Sequence, residues 1–566
     1  MAVALPVSKA PTLVVTLLLA GPVIAGFAGT ILPAFGFLPA LGETHWSLAP
    51  FKRLLAMPGL EHSIALSFAT GLIASLLSLS IVLLFAAGWS GTPTFQAISR
   101  FLSPLLSVPH AAAAIGLALL IAPSGFLVRL SSPWATGWNR PPDLLLINDS
   151  LGIALTFGLV AKEVPFLFLM TLAALNKPGI KDFAKAGTSL GYGRMATFFK
   201  VVLPQIYPLI RLPILAVIAY ATSVVDVALI LGPTTPAPLA PRLIGWMNDP
   251  DLSMRLTASA GAIVQLAVSI CAILVYLVLE FTITQQARRR LSLGRRKPAD
   301  QYARGIALGM MAAIIGAMLL AFLVLCLWAV AKSWWYPAVL PQSWDFTAFT
   351  KALPETRGIF ATSLILGILA AVLSTGLTLW LLESHTNQSK QTGIWLRTLI
   401  FVPLVLPQVA FLFGLQILFL TLGLDGSYLA VLLAHLVFVL PYAFLALSDP
   451  WQRLDPRYAR LAASMGASRL RIFFKVHIPM LLRPILVTCA VALAVSISQY
   501  LPTLLIGAGR LITVTTESVA LASGGNRQFA ALYALLQLLI PLAGFALAAL
   551  IPAIVYRHRS AMRLEP

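Results

Sequence analysis

Charge is scarce in this chain, and acid scarcer than base: Asp, Glu, Lys and Arg together make 10% of the residues, with 19 acids against 39 bases. A water-soluble domain carries about a quarter charged residues because its exterior must be wetted, so a soluble globular fold is excluded. Cysteine is almost absent. Cys271, Cys326 and Cys489 each lie inside an apolar run without CxxC or other paired spacing, which leaves no disulfide framework and no metal site. No Gly-Lys dipeptide occurs, so there is no Walker A phosphate loop, and no HExxH or nucleophile motif points to an enzyme.

What the chain has instead is apolar length. Hydrophobic residues make up 59% of it and the mean hydropathy is +0.91. Runs of about 20 apolar residues recur from end to end, as bilayer-crossing helices require. Twelve helices are expected, near 11–35, 62–90, 98–122, 149–173, 204–232 and 256–284, then 305–331, 359–383, 396–421, 427–448, 479–507 and 530–556. The first run is too long for a signal-peptide core and follows a segment whose one base is Lys9, so it reads as a transmembrane helix.

The net charge of +20 and pI of about 10.3 would suggest a nucleic-acid partner in a soluble protein. The placement of the bases argues against one. About 25 of the 39 fall in alternate loops and about 11 in the other set, the asymmetry of the positive-inside rule. Both termini and the basic run Arg288–Lys297 are thereby assigned to the cytoplasm. The expected organisation is a first half over 1–287, a basic linker over 288–303 and a second half over 304–566: an all-α integral membrane protein in two tandem six-helix repeats.

The repeat is visible in the residues. His62-Ser63 opens the second helix and Thr362-Ser363 the eighth. Pro109-His110 with Gly116 matches Pro407-Gln408 with Gly414, at one spacing. Gly191 and Pro204 match Gly466 and Pro479, again at one spacing, and Phe-Phe-Lys-Val falls in register between them at 198–201 and 473–476. Each half holds an even number of spans, so both enter the membrane the same way round and a pathway can lie between them. The matched loop segments are short amphipathic helices with basic faces, unable to span and suited to the membrane surface.

Those two loops resemble the EAA loop, the hallmark of permease subunits of binding-protein-dependent ABC importers. The copies begin Lys185-Ala186-Gly187 and Arg460-Leu461-Ala462, keep the Gly191-to-Pro204 and Gly466-to-Pro479 frame, and both carry a base where the usual Glu stands. The resemblance covers essentially the whole chain and points to a fused, double-length permease similar to the ferric iron and thiamine group. It implies a multi-pass protein of the bacterial inner membrane. Its partners would be bilayer lipid, two copies of a cytoplasmic ATPase docked on the two loops, and a periplasmic or lipid-anchored solute-binding protein. No cofactor would sit on this chain, since ATP and Mg would bind the ATPase. Ala522-Ser523-Gly524-Gly525-Asn526, faintly like an ABC signature, reads as accidental.

Polar residues at membrane depth are costly and so mark candidate pathway positions. His110 and Gln408 follow the helix-breaking prolines, Lys162 and Glu163 are adjacent in the fourth helix, Asp226 lies in the fifth, and Gln499-Tyr500 occupies the matching stretch of the second half. His110, Glu163, Asp226, Gln408, Gln499 and Tyr500 are the pathway candidates. Hydrogen bonding between helices is the competing reading for His and Gln. Arg211 and Arg483 are expected to snorkel to the cytoplasmic interface. The rival overall reading is an ion-gradient-driven secondary transporter of twelve helices; its expected Gly/Asp/Arg-rich loop is missing between the second and third spans, where only Arg100 occurs.

Overall fold

A chain in hydrocarbon must satisfy its backbone polar groups within itself, and long apolar runs do so as helices. The computed structural model describes residues 10–292, 300–385 and 399–557. Ten described helices are long and apolar enough to cross a bilayer, and two bent helix pairs raise the number to twelve. In order the spans are α1 (Ala10–Ala34), α2 (Leu60–Trp89), α3 (His110–Ile121), α4 (Ile153–Leu175), α5 (Leu203–Thr222) and α6 (Met254–Ser292). They are followed by α7 (Gln301–Val330), α8 (Ala348–His385), α9 (Val409–Thr421), α10 (Tyr428–Gln452), α11 (Leu482–Ile497) and α12 (Arg527–Val555). The expected linker over 288–303 falls partly on residues 293–299, outside the described residues.

Four spans expected to be continuous are broken. Pro93–Leu106 is separated from α3 just before Pro109, and Leu399–Val405 meets α9 at 103° across Pro407. Proline removes the N–H that would continue each helix and clashes with the preceding turn. The fifth and eleventh spans break after Ser223 and Ser498. Each serine hydroxyl donates to a carbonyl one turn back, Ala219 and Ala494, both at 2.8 Å, a bond that competes with the helical ladder. The chain resumes as short helices, Asp226–Leu231 and Leu501–Gly507, the second opened by Pro502.

Each short helix leads to another: Leu239–Met247 in one case, Val514–Ala522 in the other. The Leu239 N–H donates to Ser67 Oγ and the Val514 N–H to Ser363 Oγ, both at 2.8 Å. Ser67 is thus the geometric counterpart of Ser363, one turn beyond the Ser63 that spacing suggested. Ser63 instead accepts from Arg242 at 2.8 Å. The ABC-signature-like stretch is a helix junction in which Asn526 caps α12, its side-chain oxygen accepting from Phe529 N at 3.2 Å.

The first helix of each sixfold set packs on the broken third span of the other. α1 lies on α9 so closely that a Cβ on Gly414 would sit 1.9 Å from the Gly26 carbonyl oxygen, and Gly414 N donates to Thr30 Oγ1 at 3.0 Å. α7 lies on α3, where a Cβ on Gly116 would come within 3.1 Å of the Ala321 carbonyl oxygen. Small residues let helix backbones approach where lipid supplies no hydrophobic drive. A two-stranded hairpin, β1 (Ala331–Ser333) and β2 (Ser343–Trp344), joins α7 to α8. Buried Arg129 pins it by donating to the carbonyls of Trp334, Trp335 and Ala338 at 2.9–3.3 Å.

Candidate functional site

The two matched loops fold alike. Ile180–Ser189 and Pro456–Ser464 are short helices that end on Gly191 and Gly466, with φ of 78° and 79°. Those left-handed angles exclude most side chains and explain the two glycines. Both ends close as Schellman motifs: Tyr192 N donates to Gly187 O and Ala467 N to Ala462 O, while Gly191 N and Gly466 N bond to Thr188 O and Ala463 O. Position 187 must be small, because a Cβ there would fall 2.5 Å from Thr197 Cγ2, and its counterpart Ala462 is also buried.

After each glycine a second helix starts at Arg194 or Arg469 and passes into a π-helical turn, Phe198–Val202 or Phe473–His477. The two π turns sit at one sequence register and contain the repeated Phe-Phe-Lys-Val. Each arginine ties its loop to the end of a span: Arg194 Nη2 donates to Ser90 O at 2.9 Å, Arg469 Nη2 to Glu383 O at 2.8 Å. Glu383 also accepts from Arg469 Nε and lies 3.1 Å from His477 Nδ1. At the positions of the missing Glu, Lys185 and Arg460 are exposed, and Lys185 pairs only loosely with Asp182 at 3.7 Å. Pro204 starts α5, and Pro479 sits in a short turn whose carbonyl accepts from the Tyr556 hydroxyl.

Sequence reasoning missed an exposed apolar trio that recurs on both loops. Phe183, Leu190 and Phe199 on the first match Tyr458, Met465 and Phe474 on the second, and all six are exposed. Their equal spacing from the two glycines was the available signal. Exposed large apolar groups clustered on a loop mark a contact surface.

A second constellation lies at membrane depth. Pro109 frees backbone carbonyls before α3, and buried Lys162 turns its ammonium onto them, donating to Leu105 O at 3.4 Å and to Val108 O. A cation at a helix C-terminus is well placed for both charge and hydrogen bonding. The neighbouring Glu163 points elsewhere, its Oε1 3.7 Å from His110 Nε2. The His110 ring lies 4.8 Å from the Tyr220 ring, and Tyr220 stands beside Asp226. From the second half, Tyr442 comes within electrostatic reach of Glu163, and Tyr500 within reach of Asp226. Tyr500 packs against two separate core clusters.

The structure therefore brings His110, Glu163, Asp226 and Tyr500 together. Gln499 is buried beside Tyr500, its backbone carbonyl accepting from Thr503 at 2.7 Å. Gln408 immediately precedes α9, and its side chain makes no capping hydrogen bond there. Arg211 pairs with Glu280 at 3.1 Å rather than only snorkelling, and Arg483 is exposed. His435, which sequence reasoning passed over, is buried with both ring nitrogens engaged, to Ser496 at 2.8 Å and Thr503 at 2.9 Å.

Comparison with known proteins adds a third line. Residues 363–557 match the family described as binding-protein-dependent transport system inner membrane component. The chain is similar to the inner membrane ABC transporter permease protein YnjC of Escherichia coli strain K12, 34% identical over 528 residues that cover 93% of this chain and 94% of that protein. It is 23% identical over 206 residues to the putative 2-aminoethylphosphonate transport system permease protein PhnV of Salmonella typhimurium, covering 36% of this chain and 77% of that one. Against the putrescine transport system permease protein PotI of Escherichia coli strain K12 the identity is 26% over 178 residues, 30% of this chain and 60% of that one.

Proposed function

Because this chain belongs to the family of inner membrane permeases of binding-protein-dependent ABC transport systems, we propose that it forms the solute pathway of an ATP-driven importer and couples to separate ATPase subunits through its two matched cytoplasmic loops. It is a multi-pass transport subunit of the inner membrane and not an enzyme. ATP and Mg bind on the ATPase partner, one copy to each loop, and a solute-binding protein delivers substrate to the opposite face. Both termini lie in the cytoplasm, on the side of the basic loops.

The observation that carries this reading is the duplication of one surface element: a left-handed glycine, a Schellman closure, a π turn and an exposed apolar trio, all at matching register. Two such elements give an external motor two equivalent handles. Neither thiamine nor ferric iron, the solutes of the group the loops resemble, is named among the relatives above. The named solutes, putrescine and 2-aminoethylphosphonate, both carry an amine. The solute is accordingly a small molecule, with an amine the favoured class.

Charging the trio tests the coupling. Leu190→Glu with Met465→Glu places an acid on each exposed face without touching the buried contacts, so the protein should still purify from membranes. Co-purification of the partner ATPase should be lost together with uptake. Unchanged co-purification would remove the loops from the docking surface.

A further inference from the structure

The polar cluster is one-sided. In the frame that aligns Pro165 with Pro441, the positions of Lys162 and Glu163 are occupied in the second half by Phe438 and Val439. Acids therefore come from the first half, Glu163 on α4 and Asp226 just beyond α5, whereas Tyr442 on α10 and Tyr500 beyond α11 come from the second. Glu163 is 4% exposed and its Oε1 is buried with no hydrogen-bond donor among the described residues. Lys162 is engaged with the carbonyls of Leu105 and Val108, and His110 at 3.7 Å is beyond hydrogen-bond length. The His110 side chain keeps 28% of its surface accessible, which makes it the open member of the pair.

We propose that Glu163 and Asp226, with Tyr220, Tyr442 and Tyr500 around them, form a subsite for the ammonium group of an organic cation at the boundary between the two halves. The assignment rests on the permease reading above and gives its solute a chemical class. An ammonium brings up to three N–H donors to an oxygen that has none, and a buried acceptor left without a donor is destabilising. Tyrosine faces attract a cation in addition. A metal cation fits the site poorly: among the described residues no three His, Cys, Asp or Glu side chains gather to hold one. Two carboxylates disfavour an anion on Coulomb grounds.

The test uses the purified full-length chain in detergent, without the ATPase, so that its failure leaves the coupling loops untouched. Thermal unfolding is followed as putrescine or 2-aminoethylphosphonate is titrated in, with butane-1,4-diol as the uncharged counterpart of putrescine. At least one amine should raise Tm saturably while the diol does not. Its apparent Kd should rise at least tenfold in Glu163→Gln and in Asp226→Asn, and several-fold in Tyr500→Leu, which leaves both acids in place. The proposal is overturned if no amine shifts Tm, if the diol acts like putrescine, or if the Kd is unchanged in Asp226→Asn and Tyr500→Leu. These last two variants decide the matter should Glu163→Gln fail to elute as a single species.

Discussion

Lys162 and Glu163 are neighbours in sequence and have opposite surroundings. About 100° separates adjacent residues on a helix, so Lys162 reaches the broken end before α3 while Glu163 faces His110. The lysine holds a break closed; the glutamate is left with an oxygen that nothing among the described residues satisfies. Lys162→Met should accordingly destabilise the protein by about 1–3 kcal/mol, the cost of leaving buried carbonyls without a donor. Thermal unfolding in detergent measures it, and Lys162→Gln, which keeps an N–H, should recover part of the loss. Equal Tm for Met and wild type would show that the carbonyls find another donor. His435 makes the opposite point at the same scale: both nitrogens are consumed by Ser496 and Thr503, so it holds α10 to α11 and to the short helix beyond.

At the scale of elements, the loops were the most legible part of the chain because their geometry is local. A left-handed glycine and a fixed interval to proline are written in consecutive residues, so the frame at Gly191 and Gly466 could be read without any tertiary contact. The π turns could not, since the bonds that select π over α leave no mark in residue type. The helix-breaking Pro109 and Pro407 marked two of the four broken spans, whereas the breaks in the fifth and eleventh were hidden for a related reason. Hydropathy is blind to a backbone break inside an apolar run, and Ser223 and Ser498 look like ordinary helix residues until their hydroxyls are seen on Ala219 and Ala494. The pairing of His110 with Glu163 joins residues far apart in sequence, and no pattern announced it. Replacing Gly191 and Gly466 with alanine should cost about 1 kcal/mol each, the strain of a left-handed L-residue. Gly187→Leu should be worse, because its side chain has to displace Thr197. A Tm series over Gly191→Ala, Gly466→Ala and Gly187→Leu gives the order, and a Gly187→Leu protein as stable as the alanine variants would contradict the packing.

For the molecule as a whole, the exchange of first helices decides how the halves stay together. α1 belongs in sequence to the first six spans and packs on α9; α7 belongs to the second six and packs on α3. Each half thus grips the other with its own first helix, and the connecting segment around 293–299 is not needed to hold them. Residues 1–292 and 300–566, expressed together as two chains, should therefore co-purify as one complex. The contact depends on close backbone approach at Gly26, Gly29 and Gly414, where any added carbon lands on a carbonyl or a Cα. Gly414→Leu must push α1 away from α9 and break the Thr30 bond to the Gly414 N–H. In the two-chain form this substitution should release the first half, whereas in the intact chain it should only lower Tm, because the covalent link keeps the halves at high effective concentration. Co-purification that survives Gly414→Leu would place the main inter-half contact at α7 and α3 instead.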